Sequence, residues 1–254
     1  MTTKKKEMSA RILWSSVFCL SFMFSTHGQS WRSTPNEIHG GITFSNYFGD
    51  IGGWSGDNNW YGIRDLNIAR SRPGISAGIR HIPLNYIAFN GSMVAGWLSG
   101  SDHGGKNPER GYVFNTVFIE PSIRTEFLAV RDRPLFGRRV NRRGLVRNYA
   151  TFSAYFFGGV GAAFYHVMPN ELLAERQQRD GIEYSPVTVV LPAGLGVKLG
   201  IRNYTDVGLE VGGRYALNDY VDGLTTDTST SNDIYYITSV NMVFRLPGQR
   251  TRPN

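Results

Sequence analysis

The chain has 254 residues, a formal net charge of +7, 30 glycines and 13% aromatic residues. This composition is typical of many short strands joined by turns and argues against a helix-rich fold. The charge does not indicate a nucleic-acid-binding protein, because one local arginine cluster supplies most of it and no base-stacking or groove-reading element lies beside that cluster.

The first 28 residues have the features of a signal peptide. A basic start, MTTKKKEMSAR, precedes an apolar run at 12–25 that is too short to cross a bilayer as a helix. Thr26 and Gly28 occupy the −3 and −1 positions of a cleavage site before Gln29. We therefore expect export and cleavage near Gly28/Gln29. The single cysteine, Cys19, lies in this leader, so the mature chain can form no disulfide.

Eight later segments alternate between apolar and other residues with the period of two that a β-strand requires. They are residues 37–47, 72–82, 86–98, 114–129, 149–165, 187–201, 207–217 and 234–246. Segments of about 11–17 residues with one apolar face are typical of transmembrane barrels, and an even number permits closure without exposed edges. The sequence predicts an all-β fold, an eight-stranded antiparallel transmembrane β-barrel of the outer-membrane type, over 37–246. A short segment, 29–36, precedes it and a tail, 247–254, follows.

Charged residues of both signs fall at the inward-facing positions of these strands. The ten residues are Glu37, Arg72, Arg80, Glu120, Arg124, Glu126, Lys198, Glu210, Arg214 and Arg245. Charges in a dry interior must be paired, so this pattern predicts a buried ionic network. An eight-stranded barrel is only wide enough for side chains to fill it, which argues against a diffusion pore.

The connections suggest which end of the barrel faces which compartment. Short turns are predicted at 82–85 and 202–206, and they belong to the periplasmic end. Four longer loops, predicted at the outer end, cover 48–71, 99–113, 167–186 and 218–233. The connection 130–148 is long although it also belongs to the periplasmic end.

This periplasmic connection contains the arginine cluster. Its seven arginines are Arg131, Arg133, Arg138, Arg139, Arg142, Arg143 and Arg147, and Asp132 is its one acidic residue. One interpretation is a solvated loop or a basic flank attracted to anionic headgroups. The other is a docking element for an acidic periplasmic partner, since arginine forms bidentate pairs with carboxylates.

Patterns that suggest an enzyme are weak. GISAG at 74–78 matches the serine nucleophile elbow, but no helix follows it, so Ser76 is expected to face inward from a strand. The histidines have no metal-ligand spacing. Asp102 and His103 could bind a metal or act as a base, yet no convergent acid, base and nucleophile set accompanies them. We expect no catalytic activity, no cofactor and no metal.

Four stretches, taken in order, resemble a known family. They are ITFSNYFGDIGG (42–53), AYFFGGVGAAFYHVMPN (154–170), RYALNDYVDGL (214–224) and IYYITSVNMVFRL (234–246). The chain is similar to the PorG family, the outer-membrane barrels of the type IX protein secretion system of Bacteroidota. The resemblance implies a non-catalytic barrel in outer-membrane lipid that contacts the periplasmic ring of the lipoprotein PorK and PorN. The alternative is a surface adhesin or binding barrel that acts through its outer loops.

Overall fold

The computed structural model describes residues 36–48, 51, 71–102, 108–134, 150–180, 185–202, 205–218, 220–224 and 233–246. The predicted signal peptide, the segment 29–35, the tail 247–254, His103 and five of the seven clustered arginines lie outside the described residues. Those arginines are Arg138, Arg139, Arg142, Arg143 and Arg147.

The described chain forms eight strands that close into one barrel. They are β1 (Asn36–Phe48), β2 (Arg72–Leu84), β3 (Ile87–Ser101), β4 (Val113–Pro134), β5 (Thr151–Pro169), β6 (Val187–Arg202), β7 (Thr205–Ala216) and β8 (Ile234–Arg245). Each strand pairs antiparallel with its neighbour in sequence, and β1 pairs with β8. The predicted eight-stranded antiparallel barrel is confirmed.

The barrel has a short-turn end and a long-loop end. At the short-turn end, Asn85 and Tyr86 alone connect β2 to β3, and 203–204 connect β6 to β7. The predicted turn at 82–85 was therefore too long, because β2 continues to Leu84. The predicted turn at 130–148 also begins too early: β4 continues to Pro134, with shifts in its ladder to β5 beyond Leu128.

The long-loop end contains a helix that the strand-based prediction missed. Helix α1 (Glu171–Asp180) lies within the predicted loop 167–186. Asn170 caps it, because its Oδ1 accepts a hydrogen bond from the Leu173 amide at 3.1 Å. Its Nδ2 also donates to the Gly111 carbonyl at 2.9 Å, which ties the helix start to the chain before β4. No helix among the described residues is long and apolar enough to cross a membrane.

The outward face of the barrel is a belt of exposed apolar side chains. Ile75 and Ile123 are 67% and 70% exposed, and large apolar residues on every strand share this exposure. A closed barrel that satisfies its backbone hydrogen bonds and presents such a belt is suited to hydrocarbon rather than water.

The interior is packed with side chains. A large apolar cluster, which includes Leu98, Phe114, Phe118 and Tyr235, fills the long-loop half. A smaller cluster with Tyr155 and Phe157 lies nearer the short turns. The inward positions are thus more aromatic than the predicted small, polar or charged face. Glycine makes room for these rings, since a Cβ on Gly196 would lie 2.2 Å from the ring of Tyr155.

Candidate functional site

Arg80 is the centre of an ion cluster in the barrel interior. Its guanidinium is 1% exposed and reaches three carboxylates. Nη1 donates to Glu37 at 3.0 Å, Nε lies 2.6 Å from Glu126, and Nη2 lies 3.3 Å from Glu210. These glutamates come from β1, β4 and β7, so a single arginine links distant parts of the barrel wall.

Two more cations complete this cluster. Lys198 Nζ donates to Glu37 Oε2 at 2.8 Å, and Arg124 Nη1 donates to Glu210 Oε2 at 3.0 Å. All six ionic side chains are at most 7% exposed. The three carboxylates (Glu37, Glu126, Glu210) and the three cations (Arg80, Arg124, Lys198) sum to zero charge, which is the condition for keeping ions in a dry interior.

Neutral side chains add hydrogen bonds to two of the carboxylates. Tyr155 Oη donates to Glu210 Oε1 at 2.6 Å, and Asn90 Nδ2 donates to Glu126 Oε1 at 2.6 Å. His39 Nε2 lies 3.1 Å from Asn90 Oδ1. Tyr155, Asn90 and His39 were not among the predicted members of the network, because that prediction included only residues with a formal charge. All three stand at inward-facing positions of the strand alternation, and this pattern could have identified them as interior residues.

A second buried pair lies in the barrel. Arg214 Nε donates to Glu120 Oε1 at 3.3 Å, and Tyr235 Oη donates to Glu120 Oε2 at 2.7 Å. Eight of the ten predicted interior charges are therefore buried and paired. Each of the four cations faces a carboxylate, which leaves no uncompensated interior charge in the predicted set.

The other two predicted members do not join this buried network. Arg72 is exposed at the long-loop end, where its Nη2 donates to Ser99 Oγ at 3.2 Å. Its place at the first residue of β2 lets the side chain leave the interior. Arg245 lies at the short-turn end and pairs with Asp132 and Asp206, each at 2.7 Å. Neither aspartate was predicted as a partner, because both lie close to strand ends.

Two residues of the predicted arginine cluster are described, and they differ in role. Arg131 donates to Asn85 Oδ1 at 3.1 Å and lies 3.8 Å from Asp132, so it joins the β2–β3 turn to the end of β4. Arg133 is exposed on the same end of β4. The cluster thus begins at the short-turn rim of the barrel.

Ser76 and Asp102, the two catalytic candidates that the structure describes, have structural contacts. Ser76 is buried and donates to Asn241 Oδ1 at 2.8 Å, which confirms its predicted inward position. Asp102 is 1% exposed, and its carboxylate accepts hydrogen bonds from Arg110 Nε at 3.1 Å and from Arg110 Nη2 at 3.2 Å. Within the described ranges, no group of three or more His, Cys, Asp or Glu side chains could hold a metal ion.

Described parts of two long loops pack onto the barrel interior. Leu173 of α1 and both Val221 and Leu224 of the β7–β8 connection are buried in the large apolar cluster. Asp233 accepts a hydrogen bond from the Val221 amide at 2.8 Å and another from Tyr47 Oη. Together these segments extend the large apolar cluster at that end of the barrel.

The fold and the outward belt define the class as an eight-stranded membrane β-barrel of the outer-membrane type, with a packed and charge-balanced interior. No protein-family model and no curated protein matches the chain. Solved structures do match in fold. Ail, the attachment invasion locus protein of Yersinia pestis, is 12% identical, with 82% of this chain and 95% of Ail covered and a TM-score of 0.40.

Two further structures show the same level of similarity. The outer membrane protein OprG from Pseudomonas aeruginosa is 8% identical over 82% of this chain and 94% of OprG, with a TM-score of 0.41. The outer membrane enzyme PagL is 12% identical over 83% of this chain and 99% of PagL, with a TM-score of 0.33. At such identities and scores, these similarities assign no function.

Proposed function

We propose that this chain is a non-catalytic outer-membrane barrel of the type IX protein secretion system that anchors or couples the periplasmic PorK/PorN-like ring. Its partners in this proposal are outer-membrane lipid, along the apolar belt, and the ring proteins, along the arginine-rich segment. The sequence resemblance to the PorG family supplies the identity of the system.

The observation that carries the proposal is the position of the arginine-rich connection. The other two connections at the short-turn end have two residues each, whereas 135–150 separate β4 from β5. In bacterial outer-membrane barrels the short turns face the periplasm. Arg133 is exposed near the end of β4, and we infer that it and the arginines of the connection that follows bind an acidic periplasmic surface.

The packed interior agrees with an anchoring role. The Arg80 cluster and the Glu120–Arg214 pair occupy the space through which a solute would pass. The long-loop end is covered by α1 and the 220–224 segment. A barrel filled in this way contributes a rigid membrane body rather than a conduit, so the transported protein would cross elsewhere.

The test reverses charge on the arginines that make no described barrel contact. Arg133, Arg138, Arg139, Arg142, Arg143 and Arg147 are all changed to Glu, and Arg131 is kept because it holds the turn. The proposal expects loss of cargo from the medium and loss of crosslinks to the ring, while the barrel keeps its folded, heat-shifted gel mobility. Normal secretion by the folded variant would remove the docking role.

A matched single-charge comparison separates position from charge. Arg133→Glu changes an exposed arginine at the short-turn end, and Arg179→Glu changes an exposed arginine on α1 at the opposite end. The proposal expects only Arg133→Glu to weaken crosslinking. Equal losses in both variants would indicate a general electrostatic effect.

The ordered long-loop end supports a second candidate, a surface adhesin or binding barrel. Leu173, Val221 and Leu224 hold a platform in place from which the outer loops emerge. Deleting 225–230 keeps these anchors. The secretion proposal expects normal export from this deletion, whereas an adhesin would lose ligand binding.

A membrane enzyme that used Asp102 and His103 would instead lose a lipid or peptide reaction when both are changed to Ala.

A further inference from the structure

The outer wall of the barrel contains a depression of about 810 Å³ that crosses β1 to β5. Its rim is formed by outward-facing Ile38, Ile79, Met93, Ile123 and Val160, all of them exposed. This volume is within the range of small-molecule binding sites. We call this open depression the lateral groove.

Residue sizes along one row of the sheet produce the lateral groove. The ladder places Ile79 opposite Gly91, Gly91 opposite Ile123, and Ile123 opposite Val160. Gly91 thus leaves a gap between two branched side chains. A Cβ added at Gly91 would meet no atom within 4 Å, so this gap is open space.

Pro121 extends the lateral groove along β4. The ladder between β4 and β5 passes from the Ile119–Phe164 pair to the Ser122–Gly161 pair and skips Glu120 and Pro121. Proline has no amide hydrogen to donate, which accounts for an interrupted ladder in the middle of a strand. The wall beside Val160 and Gly161 is consequently less tightly paired than the wall around it.

The residues that line the lateral groove indicate what kind of molecule would bind there. His39, Ser92 and Ser122 are the polar residues among the described residues that line it, but their side chains stand at inward-facing positions, and none of these lining residues is charged. It is continuous with the apolar belt that faces hydrocarbon. Thirteen residues line it, whereas a stable protein interface uses about 20–30 residues on each side. A flexible hydrocarbon chain fits these properties better than a second protein.

We propose that the lateral groove binds one acyl chain of a membrane lipid, seated over Gly91 between Ile79 and Ile123. The bound lipid is held in a saturable site, unlike lipid that only surrounds the barrel. This proposal rests on the barrel crossing a membrane and is independent of the arginine-rich segment, so either proposal can fail without the other.

The test fills the lateral groove without disturbing the barrel. Gly91→Leu places a side chain in the open space, and Gly158→Leu is the matched control. Gly158 is also an exposed strand glycine with no atom within 4 Å of an added Cβ, but it does not line the groove. Dipalmitoyl phosphatidylethanolamine is titrated into detergent-solubilised, delipidated protein, and bound lipids are counted by native mass spectrometry.

The expected result is one saturable lipid on the wild type and on Gly158→Leu, with apparent affinity at least about tenfold lower for Gly91→Leu. Val160→Trp fills the lateral groove from the opposite rim and should give the same loss if Gly91→Leu does not fold. Equal saturable binding by wild type, control and folded groove variants would overturn the proposal. A dimer that dissociates when the groove is filled would also overturn it, because the occupant would then be a second copy.

Discussion

Replacing Arg80 by Met tests whether the interior cluster depends on charge balance. Arg80 contacts Glu37, Glu126 and Glu210, and its removal leaves three carboxylates facing two cations, Arg124 and Lys198. The cluster then carries a net charge of −1 in a dry interior. Loss of one partner of a buried ion pair typically costs about 3–5 kcal/mol, so we expect the free energy of unfolding to fall by about that amount.

The assay is urea-dependent unfolding of the barrel in phosphatidylcholine vesicles, followed by tryptophan fluorescence and by heat-shifted gel mobility. Arg72→Met is the matched control, since Arg72 lies on the same strand but is exposed. Its expected change is within about 0.5 kcal/mol, as for other surface substitutions. Adding Glu126→Gln to Arg80→Met restores neutrality, with two carboxylates and two cations, and should recover at least about half of the loss. If Arg80→Met costs no more than Arg72→Met, charge balance does not hold the cluster together.

Three further predictions concern packing and closure. The wild type in planar lipid bilayers should show no stable conductance steps, because the Arg80 cluster and the large apolar cluster fill the interior; a persistent open channel would contradict this packing. Asn170→Ala removes the cap of α1 and should cost about 1 kcal/mol and speed proteolysis at the long-loop end, whereas Asn170→Asp, which keeps the capping oxygen, should lose less. Gly196→Leu should prevent folding into vesicles because its Cβ would overlap the Tyr155 ring, while Gly158→Leu, with open space at its Cβ, should fold normally.

The arginine cluster shows what can be predicted from the distribution of charge along the sequence and what cannot. The clustering of positive charge within 131–147 is visible in the sequence, and it led to the prediction of a periplasmic docking element. The two described arginines of the cluster differ in their surroundings. Arg131 is bound to Asn85 at the barrel rim, and Arg133 is exposed. Charge counting could not separate them, because the extension of β4 to Pro134 decides which arginine meets the neighbouring turn.

The helix at the long-loop end has a start signal in the sequence that strand periodicity does not detect. Asn170 followed by Glu171 and then by strong helix formers is a start pattern for a helix. The segment 167–186 was predicted as a loop because it lacks the period of two that the eight strands share. The hydrogen bonds of Asn170 with Leu173 and Gly111 show that this residue caps α1.

The sequence by itself determined which side of the wall most residues face, because alternation is a local property of an extended backbone. It therefore predicted the outward belt and the inward positions of Arg80, Glu126 and Glu210. Only the tertiary structure decided which of these charges meet, since closure and strand register bring β1, β2, β4 and β7 side chains to one level of the barrel. Strand register also placed Arg72 outside the interior and Gly91 between Ile79 and Ile123. The alternation of residues along one strand cannot predict these cross-strand neighbours.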